Sequence, residues 1–577
     1  MNEDSSGKKN VSIVDKFTES QPRHSKLITA VLLGLVVVHV LLLSSLADRY
    51  SPTVDEVAHL PAGLAIWNDT DFSLYRVNPP LVRAVAAVPV LFVHHEEDWS
   101  RYKKDSQTRL EWAMGRQFVA ANGVDSQRLF KFARWTCLPF SVIGLLVCYF
   151  WGTQIHSQLV GCIAAGLWCF SPNLLGHGSL ITPDVAATSL GLLAAWRYSE
   201  WIENSSMLNA FWAGASLGLA MLTKLTWISL PALWIVLAFM NWVRYRQIRS
   251  AQSDFIHLSL IVLLGLNLLN LGYLYNGSFT LLGEFDFYST PLSGTPRIPG
   301  ENLPANRFQD SWVGKIPVPF PKDYVTGIDL QKVDFEQGKW SYLRGEVKDP
   351  GGWYHYYLIG LLVKVPAATL LLFLAGLVAC WRDESIRSST MRLMPLMLPV
   401  IVLFVVASLQ TKMNRHVRYV FPILPAIYLI GATAGVRWPK AAITAVVMTA
   451  ISSLACYPHS LSYFNEFIGG PQNGHRYLID SNLDWGQDMP LVQDWIDQRE
   501  DELPVWLVWP GDVSLKHVGV KAKLLPTGEL PAGWHIVSRS ERHHASGRYR
   551  AYDQLIPVDQ ISNTYDVYLV QPTTKKQ

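Results

Sequence analysis

The chain has 577 residues, of which 50% are hydrophobic and only 16% are charged. Because soluble domains usually carry about a quarter charged residues, this composition excludes an ordinary soluble enzyme and indicates many membrane spans. The formal net charge of +3 identifies no class of partner, and nucleic acid is not an expected partner.

The predicted elements begin with a polar tail, 1–26, which lacks the apolar centre of a signal peptide. About eleven apolar segments follow, each near the roughly 20 residues that cross a bilayer as a helix. They are 27–46, 132–151, 157–173, 184–200, 207–222, 225–243, 255–275, 354–380, 391–409, 417–436 and 440–457. The stretch 81–93 is too short to span comfortably, so we expect it to lie at the interface or to fold back. The sequence therefore predicts an α-helical polytopic membrane domain over 27–457.

Basic residues beside these segments predict the orientation. The tail contains Lys8, Lys9, Lys16, Arg23 and Lys26. If the spans alternate, the later clusters lie on the same side: Arg244, Arg246 and Arg249, then Arg382, Arg387 and Arg392, then Arg437 and Lys440. Because Lys and Arg concentrate on the cytoplasmic side, we expect a cytoplasmic N-terminus. The loops 47–131 and 276–353 and the segment 458–577 then lie outside.

The segment 458–577 differs in composition from the membrane part. The stretches "VWLVWPG", "WHIVSR" and "YDVYLVQ" are typical of strands, and "DMPLVQDWIDQREDEL" is typical of an amphipathic helix. We expect a small extracytoplasmic α/β domain.

Two acidic residues follow the first predicted span, in "TVDEVAH". Thr53 and Glu56 fit a capping box, so capping and catalysis both remain open for Glu56. Asp55 is not needed for the box and shares a helix face with His59. A carboxylate at that position can act as a general base toward an acceptor hydroxyl.

Other ionisable residues fall at the same predicted outer surface. Asp184 begins a span after Pro183, where it fits equally a site or an acid favoured by the helix dipole. Lys224 lies in "LTKLT", and "QTKMNRHVRY" contains Lys412, Arg415, His416 and Arg418. Arg415 and Arg418 are spaced for one helical face, which suits phosphate binding, although basic residues also snorkel to headgroups. Acids and bases together at one surface indicate a polar site.

Lys364 is predicted near mid-membrane, where an ammonium group is costly. We expect it to point into a cavity and neutralise an anion, with snorkelling as the alternative.

"HHEE", His94 to Glu97, lacks metal-ligand spacing, so no metal residue is predicted. No cofactor is certain, and a divalent cation requirement remains open. "DSNLDWGQD", Asp480 to Asp488, suits carbohydrate contact, but a turn that leads into a helix is favoured.

These motifs occur in an order that resembles a known family. The outer Asp-Glu, then "VNPPL", "LITPDVA", "LTKLT" and "RHVRYVFPILP" resemble the glycosyltransferase family 39-like branch of the GT-C superfamily. That branch includes protein O-mannosyltransferases and the aminoarabinose transferases of lipid A. The resemblance covers about 50 to 440 and continues into "SYLRGEVKDPGGWYHYYLIGLLVKVP" and "PHSLSYFNEFIGGPQNGHRYLIDSNLDWGQD", which look like stretches of bacterial members.

The resemblance implies an inverting GT-C-like membrane glycosyltransferase. Such an enzyme moves a sugar from a polyprenyl-phosphate carrier to a protein, lipid or glycan acceptor at the outer face of a bacterial inner membrane. Asp55, its neighbour Glu56 and Asp184 match the acidic catalytic positions. Lys224, Arg415 and Arg418 match basic positions near the lipid phosphate, to which we add His416 and Lys364 as donor-binding candidates.

One residue departs from the family pattern. Asn78 stands where many relatives have the His of His-Pro-Pro, and an amide does not titrate near neutral pH. The loop 276–353 is expected to cover the site as a lid or an acceptor platform. Two other classes remain open: a multi-span secondary transporter and a non-catalytic receptor on the same fold.

Overall fold

The computed structural model describes residues 26–98, 109–245, 250–295, 304–499 and 503–571. The predicted tail lies outside the described residues except for Lys26, and so do Arg246 and Arg249. The orientation inferred from these residues therefore stays a prediction.

The described residues form mainly helices. The α-helices are α1 Lys26–Arg49, α2 Val54–Asp69, α3 Leu81–Ala87, α4 Glu111–Asn122, α5 Ser126–Trp135, α6 Leu138–Ile155, α7 Gln158–Cys169, α8 Pro172–Gly178, α9 Pro183–Glu203, α10 Met207–Met221, α11 Leu230–Tyr245, α12 Ala251–Gly272, α13 Thr290–Ser293, α14 Lys322–Gln337, α15 Tyr356–Lys364, α16 Ala367–Arg382, α17 Glu384–Thr390, α18 Met394–Leu409, α19 Leu424–Arg437, α20 Pro439–Cys456, α21 Met489–Asp497 and α22 Arg539–Arg542. The strands are β1 Ser341–Leu343, β2 Glu346–Lys348, β3 Val505–Val508, β4 Lys523–Leu524, β5 Gly533–Ser538, β6 Asp559–Ile561 and β7 Tyr565–Val570.

The apolar helices are those of an integral membrane protein. Within the described ranges, seven helical segments are long and apolar enough to cross a membrane, or up to nine if each of two bent pairs is one span. Leu41, Phe255 and Leu263 lie on such helices and are 63–72% exposed, as expected of side chains that face lipid.

The count of about eleven spans is not confirmed. The predicted span 184–200 lies in α9, which carries Asp184, Arg197, Glu200 and Glu203. The predicted span 207–222 lies in α10, whose 15 residues measure about 22 Å, short of a hydrocarbon core of about 30 Å. Both segments are helical. However, α9 is too polar and α10 is too short to count among the seven segments that could cross a membrane.

Two pairs of consecutive helices are bent sharply where a proline follows the first helix. α7 and α8 meet at 57° before Pro172, and α15 and α16 meet at 111° at Pro366. Proline cannot donate a helical hydrogen bond and clashes with the preceding turn, so each helix stops there. The second break leaves Lys364 at the end of α15, inside the protein.

Close packing between α9 and Trp227 positions Lys224. Gly191 of α9 has no side chain, and a Cβ there would lie 2.1 Å from the ring of Trp227. Trp227 can therefore pack flat on α9, and its indole N–H donates to the carbonyl of Ala187 at 2.9 Å. Because Trp227 lies three residues after Lys224, this contact holds Lys224 beside the start of α9.

The three stretches predicted as strands near the C-terminus form β3, β5 and β7, within a five-stranded sheet of order β4-β3-β5-β7-β6. β3 pairs in parallel with β4 and β5, and the pairs β5–β7 and β6–β7 are antiparallel. The predicted amphipathic helix is α21. Leu507, Ile536 and Val567 of this sheet share one apolar cluster with Val57 and Leu60 of α2 and Phe118 of α4. One face of the sheet therefore packs on α2 and α4.

Candidate active site

A cavity of about 1150 Å³ lies where the ends of several helices meet. Its lining includes residues of α2, α9, α14 and α18, of the segments 75–78, 224–229, 410–419 and 540–544, and of the loop at 480–485. Eight of the ten predicted site residues line it: Asp55, His59, Asn78, Asp184, Lys224, Arg415, His416 and Arg418. Glu56 and Lys364 do not.

Arg418 connects the two acidic positions. Its guanidinium donates to Asp55 Oδ2 at 2.9 Å and to Asp184 Oδ2 at 3.1 Å. Lys224 Nζ donates to the other oxygen of Asp184 at 2.7 Å. Two carboxylates and two cations therefore form one neutral cluster, although the chain separates Asp55 from Arg418 by 363 residues.

The two carboxylates differ in access. The side chain of Asp184 is 1% exposed and that of Asp55 is 18% exposed. Asp184 is enclosed by its two cations, whereas Asp55 presents part of its carboxylate to the open cavity. Of the two, Asp55 is the one that an incoming molecule can reach.

The start of α2 sets the direction of Asp55. Thr53 is the N-cap, and both interactions of the capping box with Glu56 are present. The backbone N–H of Val54 donates to the carbonyl of Trp485 at 3.2 Å. The indole of Trp485 covers the guanidinium of Arg418 at 4.2 Å. The same residue thus contacts both sides of the Asp55–Arg418 pair.

The structure does not support a catalytic Glu56. Its side chain is fully buried and accepts from Arg134 at 2.6 and 2.8 Å and from the backbone N–H of Ile181 at 2.9 Å. Together with the Thr53 contacts, these bonds use its acceptor capacity. Glu56 is a structural residue that joins α2 to α5.

Lys364 is likewise not brought to the cavity. Its Nζ donates to the carbonyls of Leu461 at 2.9 Å and Asn482 at 2.7 Å and lies 4.5 Å from the ring of Phe464. Two carbonyl dipoles and an aromatic face satisfy the ammonium group, so the expected bound anion is replaced by protein backbone.

The "RHVRY" stretch is not one helix. Arg415 and His416 lie between two short 3-10 helices, Thr411–Met413 and Val417–Ile423. The helical face expected for Arg415 and Arg418 therefore does not exist, because His416 has an extended backbone. Both arginines still line the cavity, at separate places.

Arg415 pairs with an acid that sequence reasoning had assigned to a turn. Its guanidinium contacts Asp480 and lies 4.4 Å from the ring of Trp340. Burial opposes ionisation of Asp480, but the positive charge of Arg415 outweighs it and holds the pKa at about 2. His416 Nδ1 lies 2.6 Å from Ser481 Oγ, and burial lowers the pKa of His416 well below its usual value.

His59 and Asn78 line the cavity in polar but uncharged form. The ring of His59 packs 4.6 Å from that of Tyr75, and burial lowers its pKa to about 3. The backbone carbonyl of Asn78 accepts from Arg83. Neither residue can add a charge to the cavity near neutral pH.

Sequence reasoning missed several lining residues. Asp480 and Trp485 had a signal, because "DSNLDWGQD" combines acids with an aromatic ring. Trp340, Glu541 and His544 had none, since each lies in a polar segment without a motif.

In the part of the chain that the structure describes, no three His, Cys, Asp or Glu side chains are grouped so that they could hold a metal ion.

Comparison with known proteins gives one family match. Residues 128–270 match the profile of the family described as dolichyl-phosphate-mannose-protein mannosyltransferase. The resemblance inferred from the motifs is thereby confirmed over this segment, which contains Asp184 and Lys224. A search of curated proteins finds no match.

The solved structures that are similar to this chain include the following two. One is ArnT from Cupriavidus metallidurans bound to undecaprenyl phosphate, with 12% identity over 93% of this chain and 98% of that one, at a TM-score of 0.43. Another is the oligosaccharyltransferase AglB from Archaeoglobus fulgidus, in complex with an inhibitory peptide and a dolichol-phosphate. It shares 12% identity over 95% of this chain and 76% of that one, at a TM-score of 0.44.

Proposed function

We propose that the protein is an inverting membrane glycosyltransferase that moves a sugar from a polyprenyl-phosphate carrier to an acceptor hydroxyl. The observation that supports this most is the convergence of Asp55, Asp184, Lys224 and Arg418 in one large cavity. The family match adds the donor class, since its description names a dolichyl-phosphate sugar.

The phosphate of the donor binds Arg418 and Lys224. Guanidinium groups form paired hydrogen bonds with phosphate oxygens. Both cations lie within 3.1 Å of Asp184, and Arg418 also pairs with Asp55 at 2.9 Å, a contact that an incoming phosphate can replace. Asp184 stays in place and keeps the two cations together. Arg418 then turns from Asp55 toward the phosphate, and Asp55 loses its ion-pair partner.

Asp55 accepts the proton of the acceptor. The acceptor oxygen attacks the anomeric carbon, and the bond between that carbon and the phosphate oxygen breaks. The electron pair leaves with the polyprenyl phosphate, whose charge Arg418 and Lys224 stabilise. Direct displacement from the opposite face inverts the anomeric configuration.

The wider arrangement follows from the same proposal. Asp55 and the cavity lie at the outer membrane face, the N-terminus is cytoplasmic, and α9 and α10 complete about eleven spans. The segment 458–577 is an outer domain. α14, in the long outer loop, supplies Ile328, Gln331 and Phe335 to the lining, as a lid or acceptor platform would.

The experiment is transfer of radiolabelled sugar from undecaprenyl-phosphate sugars by the purified wild type and Asp55→Asn. We expect wild-type turnover, and in the variant an unchanged donor affinity with transfer lowered by about 100-fold or more, as for removal of a general base. Asp48→Asn is the matched control. Asp48 is a carboxylate near the C-terminal end of α1, close to Asp55 in the chain, but it does not line the cavity.

Two outcomes contradict the proposal at different levels. Full transfer by Asp55→Asn would remove Asp55 as the base but leave the transferase. A wild type that neither binds nor cleaves any of several sugar lipids would reject the transferase and favour a transporter or a receptor.

A further inference from the structure

The acidic side chains that line the cavity are almost all paired with a cation. Five carboxylates face it, and four have a cationic partner within 3.1 Å: Asp55 and Asp184 with Arg418, Asp334 with Arg109, and Asp480 with Arg415. Glu541 is the fifth. Among the described residues, its carboxyl group has neither an ion pair nor a side-chain hydrogen bond.

Glu541 is held in place by the surrounding backbone. It lies in α22, whose Ser538 caps the helix by accepting from the Glu541 N–H at 3.4 Å. The adjacent Ser540 Oγ accepts from the backbone N–H of Asp480 at 3.0 Å. These bonds fix α22 against the loop that carries Asp480, so Glu541 is positioned beside the Arg415–Asp480 pair.

The surroundings of Glu541 combine rings with hydrogen-bonding groups. The ring of His544 lies 4.6 Å from that of Trp340, and Arg415 covers Trp340 at 4.4 Å. Burial and the negative charge of Asp480 raise the pKa of Glu541 to about 7. An unpartnered carboxyl in such a place gains most from a ligand that donates hydrogen bonds.

The position within the cavity suggests which ligand that is. Arg418 and Lys224 form the phosphate-binding end under the proposed function. Arg415 and Glu541 line the same cavity, but Arg415 is paired with Asp480 and not with the Asp55–Asp184 cluster. A sugar attached to the phosphate, or the glycan that receives it, must occupy the space beyond the phosphate. A cationic ligand is disfavoured by Arg415, which remains fixed against Trp340.

We infer that Glu541, with Trp340, Arg415 and His544, forms a subsite that binds sugar hydroxyl groups. The inference rests on the proposed function. The chemistry fits two sources, the sugar of the donor and a glycan acceptor, and the experiment separates them.

The first arm measures binding of two radiolabelled lipids to the purified full-length protein, undecaprenyl phosphate and undecaprenyl-phosphate mannose. If the subsite holds the donor sugar, Glu541→Ala raises the Kd of the mannose lipid by about tenfold, because a charge-assisted hydrogen bond is lost. The Kd of the bare lipid stays unchanged. Glu529→Ala is the matched control, because Glu529 is exposed on the same sheet domain and does not line the cavity.

The second arm measures transfer of mannose from saturating donor to methyl glycosides. If the subsite holds the acceptor, Glu541→Ala binds both lipids normally and its KM for the glycoside rises by about tenfold. Glu541→Gln keeps the side-chain shape, so an equal loss in that variant identifies the carboxyl group as the cause.

The inference is wrong if Glu541→Ala matches the wild type in both arms. It is also wrong if binding of the bare lipid falls as much as that of the mannose lipid, since Glu541 would then support the phosphate end. A wild type that binds neither lipid rejects the proposed function itself, which the Glu541 variants alone cannot do.

Discussion

Asp55 and Glu56 are adjacent carboxylates with opposite surroundings. Asp55 lines the cavity with its side chain 18% exposed, whereas Glu56 is enclosed by Arg134 and backbone N–H groups. Successive residues of a helix point about 100° apart, so one faces the cavity and the other faces α5. The proximity of two acids in the sequence therefore does not make a catalytic pair.

The Glu56–Arg134 contact predicts a stability effect without a catalytic one. Glu56→Gln leaves the buried guanidinium of Arg134 without its counter-charge, which costs about 3–5 kcal/mol when one partner of a buried pair is removed. We expect a large fall in the thermal unfolding temperature in detergent. The folded fraction should keep wild-type transfer per molecule.

Glu96→Gln is the control, since Glu96 has an exposed side chain. Unchanged unfolding of Glu56→Gln together with loss of transfer would contradict this account and restore a catalytic role for Glu56.

At the scale of elements, the loop Asp480–Asp488 has the widest influence on the site. Ser51 and Val54, just before Asp55, bond to its backbone, with Ser51 N–H to Gln487 O at 3.0 Å and Val54 N–H to Trp485 O at 3.2 Å. Trp485 also covers Arg418. One loop thus orients both the proposed base and the proposed phosphate-binding residue.

Trp485 is therefore expected to act as a positioning residue. Trp485→Leu removes the ring from Arg418, and a desolvated cation–π contact contributes about 2 kcal/mol. We expect kcat to fall by about 30-fold while KM for the donor changes little, and Trp485→Phe to restore part of kcat.

Trp312→Leu, which alters an exposed indole outside the cavity, should leave both parameters unchanged. If Trp485→Leu and Trp485→Phe lose kcat equally, or if only KM changes, the positioning role is wrong.

Local sequence signals predicted individual elements better than their relative placement. The capping box of α2, the three strand stretches and helical structure in the apolar segments follow from spacing and composition. The break in "RHVRY" could not be predicted in this way. His416 has an extended backbone, and its ring contacts Ser481, 65 residues away. Helical spacing alone is insufficient where tertiary contacts select another conformation.

At the scale of the whole molecule, buried acids join the C-terminal sheet to the loop Asp480–Asp488, whose backbone bonds to Ser51 and Val54 at the start of α2. Asp484 accepts from the hydroxyl of Ser538 in β5 and from the backbone N–H of Gly486. Asp488 accepts from Thr564 Oγ1 at 2.8 Å. These contacts tie the loop that carries Trp485 to the sheet, whose strand β5 leads directly into α22 with Glu541.

This junction predicts a pH-dependent stability. Burial raises the pKa of Asp484 to about 7, against about 3.9 for an unfolded aspartate. Between about pH 4 and pH 7 the folded state holds a proton that the unfolded state has released, so the free energy of unfolding falls as pH rises. Asp484→Asn should flatten this dependence.

The measurement is chemical unfolding of both proteins from pH 4 to pH 8. Asp488 and Glu541 also have raised pKa values because of burial, so some slope should remain in the variant. An identical slope in wild type and Asp484→Asn would contradict the assignment.

The cavity itself could be predicted only in part. Eight of ten candidate residues line it, and their grouping followed from the prediction that these span ends lie at the same membrane surface. Their pairing was not predictable, since Asp55, Asp184 and Arg418 come from distant segments. The corrections for Glu56 and Lys364 also required the fold, because backbone carbonyls and a buried arginine leave no pattern in the sequence.

The central claim is that Arg418 and Lys224 hold the phosphate of a lipid carrier beside Asp55. The most direct test is a structure of the protein with undecaprenyl-phosphate mannose, determined by electron cryo-microscopy in a lipid nanodisc. The account predicts phosphate oxygens about 3 Å from both cations, with the Arg418–Asp55 contact broken and Asp55 facing the anomeric carbon. A phosphate bound elsewhere, with Arg418 still paired to Asp55, would contradict it.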